Sequence, residues 1–491
     1  MDKLNDLENY QQLVKSTPEI LLDIFDKFED SEWLLIMFMV KNGRWQAPST
    51  PPPPNYYLTG SIEESLFLFW LNNPGYISNS EVRLAMEIII LILVAVGINL
   101  PATNITASQY QRLIDDTLIY DDGSFIATSQ YALYDQSWMI ALHNFIKTIE
   151  YSAFYGGILP IPALPYSPIV IPPKSGQIVV GLLADWGAGG ELSKATLNCF
   201  ANTTPDCVIH LGDVYYSGTP YDDEGYDYSS LGEEVNNFLN IWPQAWHGTS
   251  FTLNSNHEMY CGANGLFNDI LLPLDSAFHS QGGYTVFALK IADWTILGLD
   301  SAYNADVSSL FMNGSLDPQQ GNLPKNYVSQ TQWIRSLGLT AAKTIVLTHH
   351  NAFDYNCDPQ QQSVYTNFWG QVSESLGGDP YAWYWGHVHN GIVYTTPVVI
   401  PASINSAEFE TYTYCRCLGH GSLPYGTSSL LAGNETNIDW FAGKGGGDVQ
   451  LPNGAVTLVF EIVGAQVSKI TENFWFSNAP EQAAYSQAIY P

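Results

Sequence analysis

Five short apolar runs in the second half of the sequence each end in side chains that can bind a metal ion or transfer a proton. The runs have the length and composition of strands that are covered on both faces. The runs and the residues that follow them are 177–184 before Asp185, Trp186 and Gly187; 207–211 before Gly212 and Asp213; 251–253 before Asn254, Ser255, Asn256, His257 and Glu258; 344–347 before Thr348, His349 and His350; and 382–385 before Gly386, His387, Val388 and His389. Because the loops at the carboxyl ends of strands in an open α/β sheet converge on one crevice, these side chains are predicted to share one site.

The types of side chain in this group favour two adjacent metal ions. Carboxylates are hard ligands that share a divalent or trivalent cation, and imidazole suits Zn, Fe, Mn or Ni. A carboxylate can bridge two metals, and the central place of Asp213 in the motif order predicts that it is the bridge. Two metals about 3.5 to 4 Å apart can hold a hydroxide and stabilise the oxygens of an in-line displacement at phosphorus.

Each motif alone is weak evidence for a site, because aspartates commonly occupy turns and histidines commonly lie in a core or on a surface. The combination is much stronger. Five of the ten histidines in the chain fall in these motifs, and every motif stands at the end of a predicted strand.

The combination resembles the calcineurin-like metallophosphoesterases. Within that superfamily it is most similar to the purple acid phosphatase branch, whose first two motifs match Asp185-Trp186-Gly187 and Gly212-Asp213-x-x-Tyr216. The resemblance covers about residues 177 to 400 and says nothing about the first part of the chain.

The resemblance implies two metal ions and a general acid. One metal is expected on Asp185, Asp213, Tyr216 and His389, and the other on Asp213, Asn256, His349 and His387. A tyrosinate ligand favours a ferric ion, so the implied pair is Fe(III) with divalent Fe, Zn or Mn, and two divalent ions are the alternative. His257 is expected to donate a proton to the leaving alkoxide.

Three positions depart from the pattern of that family. Ser255 stands where a glycine usually precedes the Asn-His-Glu motif, which removes no ligand. His349 and His350 are adjacent and lack the proline common two residues after the ligand, so the sequence leaves open which imidazole binds. His349 is the favoured ligand, and His350 is expected to orient substrate. Tyr215 neighbours Tyr216, and the x-x-Tyr spacing favours Tyr216 as the ligand.

The first third of the chain follows a different pattern from the rest. Residues 1–158 are predicted to be all α-helical, since Thr17-Pro18 is a cap followed by a first-turn proline and apolar residues recur at helical spacing, as in 138–149. Residues 159–176 are predicted to be a linker, because six of them are prolines, which no regular helix or central strand tolerates. We find no catalytic motif before the linker.

Residues 177–491 are predicted to form the metallophosphoesterase-like catalytic domain, with a β-rich C-terminal part. The strands alternate with helix-like stretches, and further β-rich stretches suggest a second sheet packed on the first. The helix-like stretches are 231–246, 329–337 and 364–376, and the β-rich ones are 284–299 and 456–462. The expected fold class is therefore α/β, a layered β-sandwich flanked by helices.

The composition narrows the choice of partners. Lys plus Arg is 17 against 48 Asp plus Glu, which gives a formal charge of −31 and disfavours long nucleic acids as partners.

The apolar run 88–98 has 11 residues, short of the roughly 18 to 20 that cross a bilayer, so we expect a buried helix and no transmembrane segment. The first residues lack the pattern of a signal peptide, which predicts a cytoplasmic protein and leaves secretion by another route open. The six cysteines are too few for a disulfide scaffold.

The leading hypothesis is a dinuclear-metal hydrolase of small phosphate esters, either monoesters or diesters, with a metal-bound hydroxide as nucleophile and His257 as general acid. The alternative is a catalytically weak binding or regulatory protein whose N-terminal helical region engages a partner.

Arg416 and His420, in a turn-rich stretch, either reach phosphate oxygens or belong to a structural loop, and the second reading is favoured.

Overall fold

The computed structural model describes most of the chain from residue 164 onward, and only short pieces before it. The described residues are 117–119, 125–127, 141, 144–145 and 148, and then 164–491 without 166, 174–175, 223–227, 229, 306–310, 319–327, 358–361, 401–407, 424–430, 432–434 and 444–451. The chain divides into two compact units, Met1–Pro160 with Glu224–Ser229, and Ile161–Asp223 with Ser230–Pro491.

The described part of the first unit includes an antiparallel pair of short strands, β1 (Thr117–Ile119) and β2 (Phe125–Ala127). The prediction for residues 1–158 did not include this pair. Most of the helices expected there, among them 88–98, lie outside the described residues. The predicted domain limits stay predictions, although a two-residue strand, β3 (Ile169–Val170), lies within the segment expected to be a linker.

The second unit contains two large sheets. Its remaining strands are β4 (Gln177–Leu183), β5 (Cys207–His210), β6 (Ser250–Thr252), β7 (Phe287–Ile291), β8 (Trp294–Gly298), β9 (Thr344–Thr348), β10 (Ala382–Trp385), β11 (Gly391–Tyr394), β12 (Val398–Ile400), β13 (Phe409–Thr411), β14 (Tyr414–Leu418), β15 (Ile438–Phe441), β16 (Gly454–Val463), β17 (Gln466–Phe476) and β18 (Ala483–Tyr490). One sheet has six strands in the order β18-β17-β16-β4-β5-β6, and the other has eight in the order β15-β11-β14-β10-β9-β8-β7-β3. Strands β12 and β13 form a separate pair.

Apolar side chains from the two sheets meet in one core. Val180 and Leu182 of β4 and Ile345 and Leu347 of β9 belong to this core and are fully buried. Removing such side chains from water is the main term that holds the layers together, at about 25 cal/mol per Å² of apolar surface. The predicted layered α/β architecture is confirmed.

Four α-helices accompany the sheets in the described part of the second unit. They are α1 (Glu191–Thr196), α2 (Asn256–Met259), α3 (Gln330–Ser336) and α4 (Gln362–Leu376). Trp333 of α3 and Phe368 of α4 pack with Val346 and Trp383 of the eight-stranded sheet in a second apolar core. These strands are apolar at successive positions because both of their faces are covered.

Two helix predictions have different outcomes. Helix α3 begins at Ser329 with a capping box, in which the side chains of Ser329 and Gln332 each bond the other residue's backbone N–H. The stretch 231–246, expected to be one helix, forms a π-helical turn at Glu234–Phe238 and short 3₁₀ turns at Leu239–Ile241 and Gln244–Trp246. Among the residues that the structure describes, no helix is long and apolar enough to span a membrane.

Arg416 is part of the sandwich and not of a phosphate site. It lies on β14, is 1% exposed, and its Nε donates to Glu472 Oε1 of β17 at 2.8 Å. Tyr384 donates its hydroxyl proton to the other oxygen of Glu472 at 2.6 Å. The pair therefore connects the two sheets, and breaking such a buried pair typically costs about 3–5 kcal/mol because it leaves a charge without a partner. Of the two readings of Arg416, this location supports the structural one.

Candidate metal centre

The five motifs lie in loops that the backbone ties together at the carboxyl ends of the strands. Strands β4, β5 and β6 run parallel, as do β9 and β10, so within each sheet these ends lie at one edge. The loops are joined by backbone hydrogen bonds: Asp185 N donates to Gly212 O at 3.0 Å, and Gly386 N donates to His349 O at 3.0 Å. The loops that carry the predicted ligands are therefore held in fixed register.

Three of these motif residues have backbone conformations that L-amino acids rarely adopt. The φ angles are 53° at Asp185, 78° at Asp213 and 66° at His387. They are three of eight non-glycine residues with positive φ in the described part of the chain. Such strain typically costs about 1–3 kcal/mol per residue and concentrates at functional sites. Its presence here at three predicted metal ligands indicates that the fold holds these side chains in place.

Two glycines of the motifs are required by close packing. A Cβ on Gly386 would lie 2.4 Å from Asp185 Oδ2, and a Cβ on Gly212 would lie 2.7 Å from Ser255 Cβ and 3.0 Å from His349 Nδ1. Gly212 also has a φ of 97°, which favours glycine. The glycines of the Gly-Asp and Gly-His motifs thus leave room for Asp185 and His349.

One group of four donor atoms surrounds a point beside Asp213. His349 Nε2 lies 2.8 Å from Asn256 Oδ1 and 3.2 Å from Asp213 Oδ1, and His387 Nδ1 lies 3.1 Å from Asn256 Oδ1. Asn256 donates its amide to Tyr260 Oη at 3.1 Å, which turns Oδ1 toward the two histidines. We name these four atoms the His349 donor group.

The hydrogen bonding of the His349 ring favours a cation at this point. Its Nδ1 lies 2.9 Å from the Leu211 carbonyl, which can only accept, so Nδ1 carries the proton. Burial lowers the pKa of His349, so the ring is neutral and Nε2 presents a lone pair. That lone pair faces the oxygens of Asn256 and Asp213, which are also acceptors. Acceptors that face one another in a buried site are stabilised by a positive ion between them.

A second group of donor atoms lies on the other side of Asp213. His389 Nε2 is 3.4 Å from Asp185 Oδ1 and 3.8 Å from Asp213 Oδ2. The hydroxyl of Tyr215 donates to Asp213 Oδ2 at 2.9 Å and lies 3.2 Å from His389 Nε2. We name these atoms the His389 donor group. The two oxygens of Asp213 face different groups, an arrangement in which one carboxylate can serve two cations.

The charges of the centre also fit bound cations. Ligand atoms of Asp185, Asp213 and His349 lie within 4.8 Å of one another, all three residues are buried, and one oxygen of each carboxylate has no hydrogen-bond partner. Burial and the charge of Asp213 raise the pKa of Asp185 to about 7. Burial opposes the charge of His389, but the neighbouring carboxylates of Asp185 and Asp213 raise its pKa to about 9. A metal ion would reverse these shifts, since it stabilises the deprotonated ligands.

The hydroxyl of Tyr215 lies beside Asp213 and His389, whereas the contact of Tyr216 with His257 is through its backbone carbonyl. The sequence favoured Tyr216 as the ligand. The Tyr215 ring packs edge-on against His257 and His389, with centroid distances of 4.6 and 6.0 Å, and its hydroxyl belongs to the His389 donor group. Tyr216 contributes its carbonyl oxygen, which lies 2.6 Å from His257 Nδ1. The sequence spacing did not distinguish the two phenols because the loop conformation decides which of them faces the centre.

His257 lies beside the centre without belonging to either donor group. Its Nδ1 donates to the Tyr216 carbonyl, and its Nε2 lies 3.9 Å from Asp213 Oδ2. Because a carbonyl can only accept, Nδ1 keeps its proton in both charge states of the ring. Nε2 is therefore the nitrogen whose proton can be exchanged, and it faces the carboxylate that the two donor groups share.

Both ring nitrogens of His350, which the sequence expected to orient substrate, bond to other groups of the protein. Its Nε2 donates to the Phe311 carbonyl at 2.6 Å, and its Nδ1 accepts from Ser301 Oγ at 2.8 Å. Burial and the neighbouring His349 lower its pKa to about 3, so it is neutral. With both ring nitrogens occupied, His350 packs beside His349 and His387 at centroid distances of 5.1 and 4.8 Å and supports their positions.

His420 lies in an apolar environment next to the centre. It is 1% exposed and stacks on Phe474 at a centroid distance of 6.3 Å, and burial lowers its pKa to about 4. The turn around it positions Asp185, whose carbonyl accepts from Ser422 N at 3.0 Å. These contacts, like those of Arg416, support the structural reading of this stretch. All six cysteines are buried free thiols.

Several residues of the centre carried no signal in the sequence. Tyr260 orients Asn256, Ser301 fixes the His350 ring, and Glu258 accepts from the backbone N of Asp213 at 3.3 Å. Glu258 follows the Asn-His pair and was quoted only as part of that motif. Tyr260 follows that motif by two residues, and Ser301 comes from a part of the chain that contains none of the five motifs, so only the folded structure reveals their contacts.

Comparisons with known proteins were made by sequence and by structure. No protein-family model matches the chain, and no curated protein is similar to it in sequence. Among solved structures it is similar to a purple acid phosphatase from yellow lupin (Lupinus luteus) seeds, with a TM-score of 0.36, 13% identity and coverage of 64% of this chain. It is also similar to GAP50, the anchor in the inner membrane complex of Plasmodium (TM-score 0.40, 11% identity), and to PhoD (TM-score 0.39, 12% identity).

These matches differ in how much of each protein they cover. The chain spans about half of the yellow lupin phosphatase, 54% of its length, whereas it covers 89% of GAP50 and 70% of PhoD. The matched share of this chain is 64% for GAP50 and 67% for PhoD.

Proposed function

We propose that this chain is a metal-dependent hydrolase of phosphate esters that binds two metal ions side by side on Asp213. The observation that carries the proposal is the division of the buried donors into the His349 and His389 groups, with one oxygen of Asp213 facing each. The two acceptor oxygens near His349 Nε2, from Asn256 and Asp213, and the carboxylate oxygens of Asp185 and Asp213 without hydrogen-bond partners support cations at both points.

The proposed ligands follow the two donor groups. Asn256, His349 and His387 hold one metal ion with Asp213, and Asp185, Tyr215 and His389 hold the other. The phenol is thus proposed to be Tyr215 in place of Tyr216. A phenolate ligand favours a trivalent ion, so we propose Fe(III) in the His389 group and a divalent ion in the His349 group.

Two such ions would supply a hydroxide nucleophile and stabilise the charge on the phosphoryl oxygens. The residues of the chain supply the rest of the reaction. Asp213 and Asn256 fix the spacing of the two groups, and Tyr260 fixes the amide of Asn256. His257 is proposed to donate its Nε2 proton to the leaving oxygen, since Nδ1 is held by the Tyr216 carbonyl and Nε2 faces the centre.

The proposed substrate is a small phosphorylated molecule. With a formal charge of −31, the chain lacks the broad positive surface that a long nucleic acid requires. The positive charge of two cations acts close to the site, whereas surface charges are screened beyond about 8 Å at physiological salt. A small anionic ester is therefore attracted near the centre although the whole molecule is acidic.

The experiment that tests this function is an assay of the purified full chain with p-nitrophenyl phosphate and bis(p-nitrophenyl) phosphate. The protein is stripped with a chelator and reloaded with Fe, Zn, Mn or Mg, and bound metal is counted. We expect activity that disappears on stripping and returns with at least one metal pairing, and the ratio of the two rates gives the ester preference. Absence of activity with all of these metals contradicts the proposal and favours a binding or regulatory role.

Tyr215→Phe is expected to remove the visible charge-transfer band of the iron-loaded protein, because the phenolate that donates the charge is lost. Tyr216→Phe is the matched control and is expected to keep the band, since Tyr216 meets His257 through its backbone carbonyl. The measurement is an absorption spectrum of each variant at equal iron content. Loss of the band in Tyr216→Phe alone would reverse the assignment, and a colourless active enzyme with two divalent metals would remove Fe(III) from the proposal.

A further inference from the structure

The loop that carries Tyr215 and Tyr216 is held by one buried helical segment. Asn237 Nδ2 donates to the Tyr215 carbonyl at 2.7 Å, and Glu234 N donates to the Thr219 carbonyl at 3.2 Å. Glu233, directly before the π-helical turn, accepts from the rest of the loop. The loop is thus bonded to residues that follow it in the chain by 14 to 22 positions.

Glu233 accepts four hydrogen bonds from three residues of this loop, Tyr216, Ser217 and Thr219. Its Oε1 accepts from Tyr216 N at 2.7 Å. Its Oε2 accepts from Ser217 N at 3.0 Å and Thr219 N at 3.2 Å, and from the hydroxyl of Ser217 at 3.2 Å. The hydroxyl of Thr219 donates to the Ser230 carbonyl and accepts from Glu233 N at 3.2 Å. The residue is 6% exposed, so water does not substitute for these bonds. Buried backbone N–H groups need such acceptors, and a carboxylate satisfies several of them at once.

Oε1 of Glu233 fixes the peptide group that precedes Tyr216, and His257 contacts the carbonyl of the peptide group that follows Tyr216. Oε1 holds the N–H of Tyr216, and the carbonyl of the same residue lies 2.6 Å from His257 Nδ1. We infer that Glu233 is a positioning residue: it holds the Tyr216 carbonyl against His257 and thereby keeps the mobile proton of His257 on Nε2, which faces the centre. The inference rests on the proposed function for its catalytic consequence, but not for the tautomer of His257.

The geometry explains why a carboxylate is required. A glutamine at this position has one oxygen and one NH₂ group. With the NH₂ at the place of Oε1 it faces the N–H of Tyr216, and at the place of Oε2 it faces the N–H groups of Ser217 and Thr219. Either orientation sets a donor against a donor, so Glu233→Gln is expected to shift the peptide groups on the two sides of Tyr216 while the size of the side chain is kept. Asn237 still holds the carbonyl of Tyr215 in this variant.

The kinetic test compares two leaving groups. A general acid is needed for a poor leaving group such as phenolate, and much less for a good one such as 2,4-dinitrophenolate. We expect Glu233→Gln to lower kcat on phenyl phosphate by about 10- to 100-fold, the usual effect of removing the partner that orients a functional group. On 2,4-dinitrophenyl phosphate we expect a loss of less than about threefold, with bound metal unchanged. Equal losses on both substrates would overturn the inference and leave Glu233 a purely structural residue.

Glu234→Gln is the matched control, because it makes the same change in the next residue, which is fully buried. The carboxylate oxygens of Glu234 have no hydrogen-bond partner, so its substitution should leave the ratio of the two rates as in the wild type.

Glu233→Asp is the second variant, for the case that Glu233→Gln does not fold. It keeps the charge but withdraws from Tyr216 N, and the same dependence on the leaving group is expected. A normal ratio in folded Glu233→Asp counts against the inference.

A spectroscopic measurement separates this inference from the proposed function. In the full chain labelled with ¹⁵N-histidine and free of metal, the His257 signals, assigned with His257→Gln, should show a protonated Nδ1 and an unprotonated Nε2 when the ring is neutral. Glu233→Gln should mix the two tautomers, and Glu234→Gln should not. An unchanged tautomer in Glu233→Gln overturns the inference even if the enzyme is active. A changed tautomer in a protein without activity supports it while the hydrolase proposal fails.

Discussion

Asp213→Asn is expected to remove at least one metal ion per chain and to lower kcat/KM by about a thousandfold or more. Asp213 presents one oxygen to His349 and the other to Tyr215 and His389. An asparagine presents one oxygen and one NH₂, so one donor group loses an anionic ligand and gains a group that repels the metal. The charge stabilisation that a metal supplies is worth several kcal/mol, and each 1.36 kcal/mol changes a rate by about tenfold.

The measurement is bound metal per chain together with kcat/KM on the better of the two chromogenic esters. Asp293→Asn provides the control for the change of charge, because Asp293 bonds Lys343 and Val467 N away from the centre and is expected to keep full activity. An Asp213→Asn variant that keeps both metals and near wild-type activity would contradict the bridging role, and with it the arrangement of two ions on one carboxylate.

The layers of the fold could be predicted because the physical signals for them are local. Runs such as 344–347 and 382–385 are apolar at every position since both faces of β9 and β10 are covered, and the structure gives Thr344–Thr348 and Ala382–Trp385. The helix expected at 231–246 was wrong as a single helix. Its apolar pattern is real, but the segment bends through π and 3₁₀ turns, which places Glu233 and Asn237 against the loop of Tyr215 and Tyr216.

Some features of the candidate site could likewise be predicted from local sequence signals, and others could not. That Asp185, Asp213 and His349 come together follows from their positions after parallel strands, and the structure places their ligand atoms within 4.8 Å. The choice of Tyr215 over Tyr216 depends on the conformation of one loop, which spacing alone does not encode. The position of His350 depends on Ser301 and Phe311, which are 49 and 39 residues away in the chain. Contacts over such separations leave no periodic pattern in a single sequence.

His257→Gln is expected to lower kcat on phenyl phosphate by about 10²- to 10⁴-fold, the range that general acid catalysis contributes. On 2,4-dinitrophenyl phosphate the loss should be small, because that leaving group departs without a proton. The bound metal should be unchanged, since His257 Nε2 lies 3.9 Å from Asp213 Oδ2 and belongs to neither donor group. His247→Gln, at an exposed histidine, is expected to behave as the wild type on both substrates.

The pH dependence gives an independent check on the same role. A proton donor must be protonated to act, so wild-type activity on phenyl phosphate should fall toward alkaline pH, where the donor has lost its proton. In His257→Gln that alkaline decrease should disappear, while any change caused by the metal ligands remains. If His257→Gln instead lost metal, or lost equal activity on both leaving groups, His257 would be acting through the structure of the centre. The Nε2 proton would then have to be assigned to another group facing Asp213.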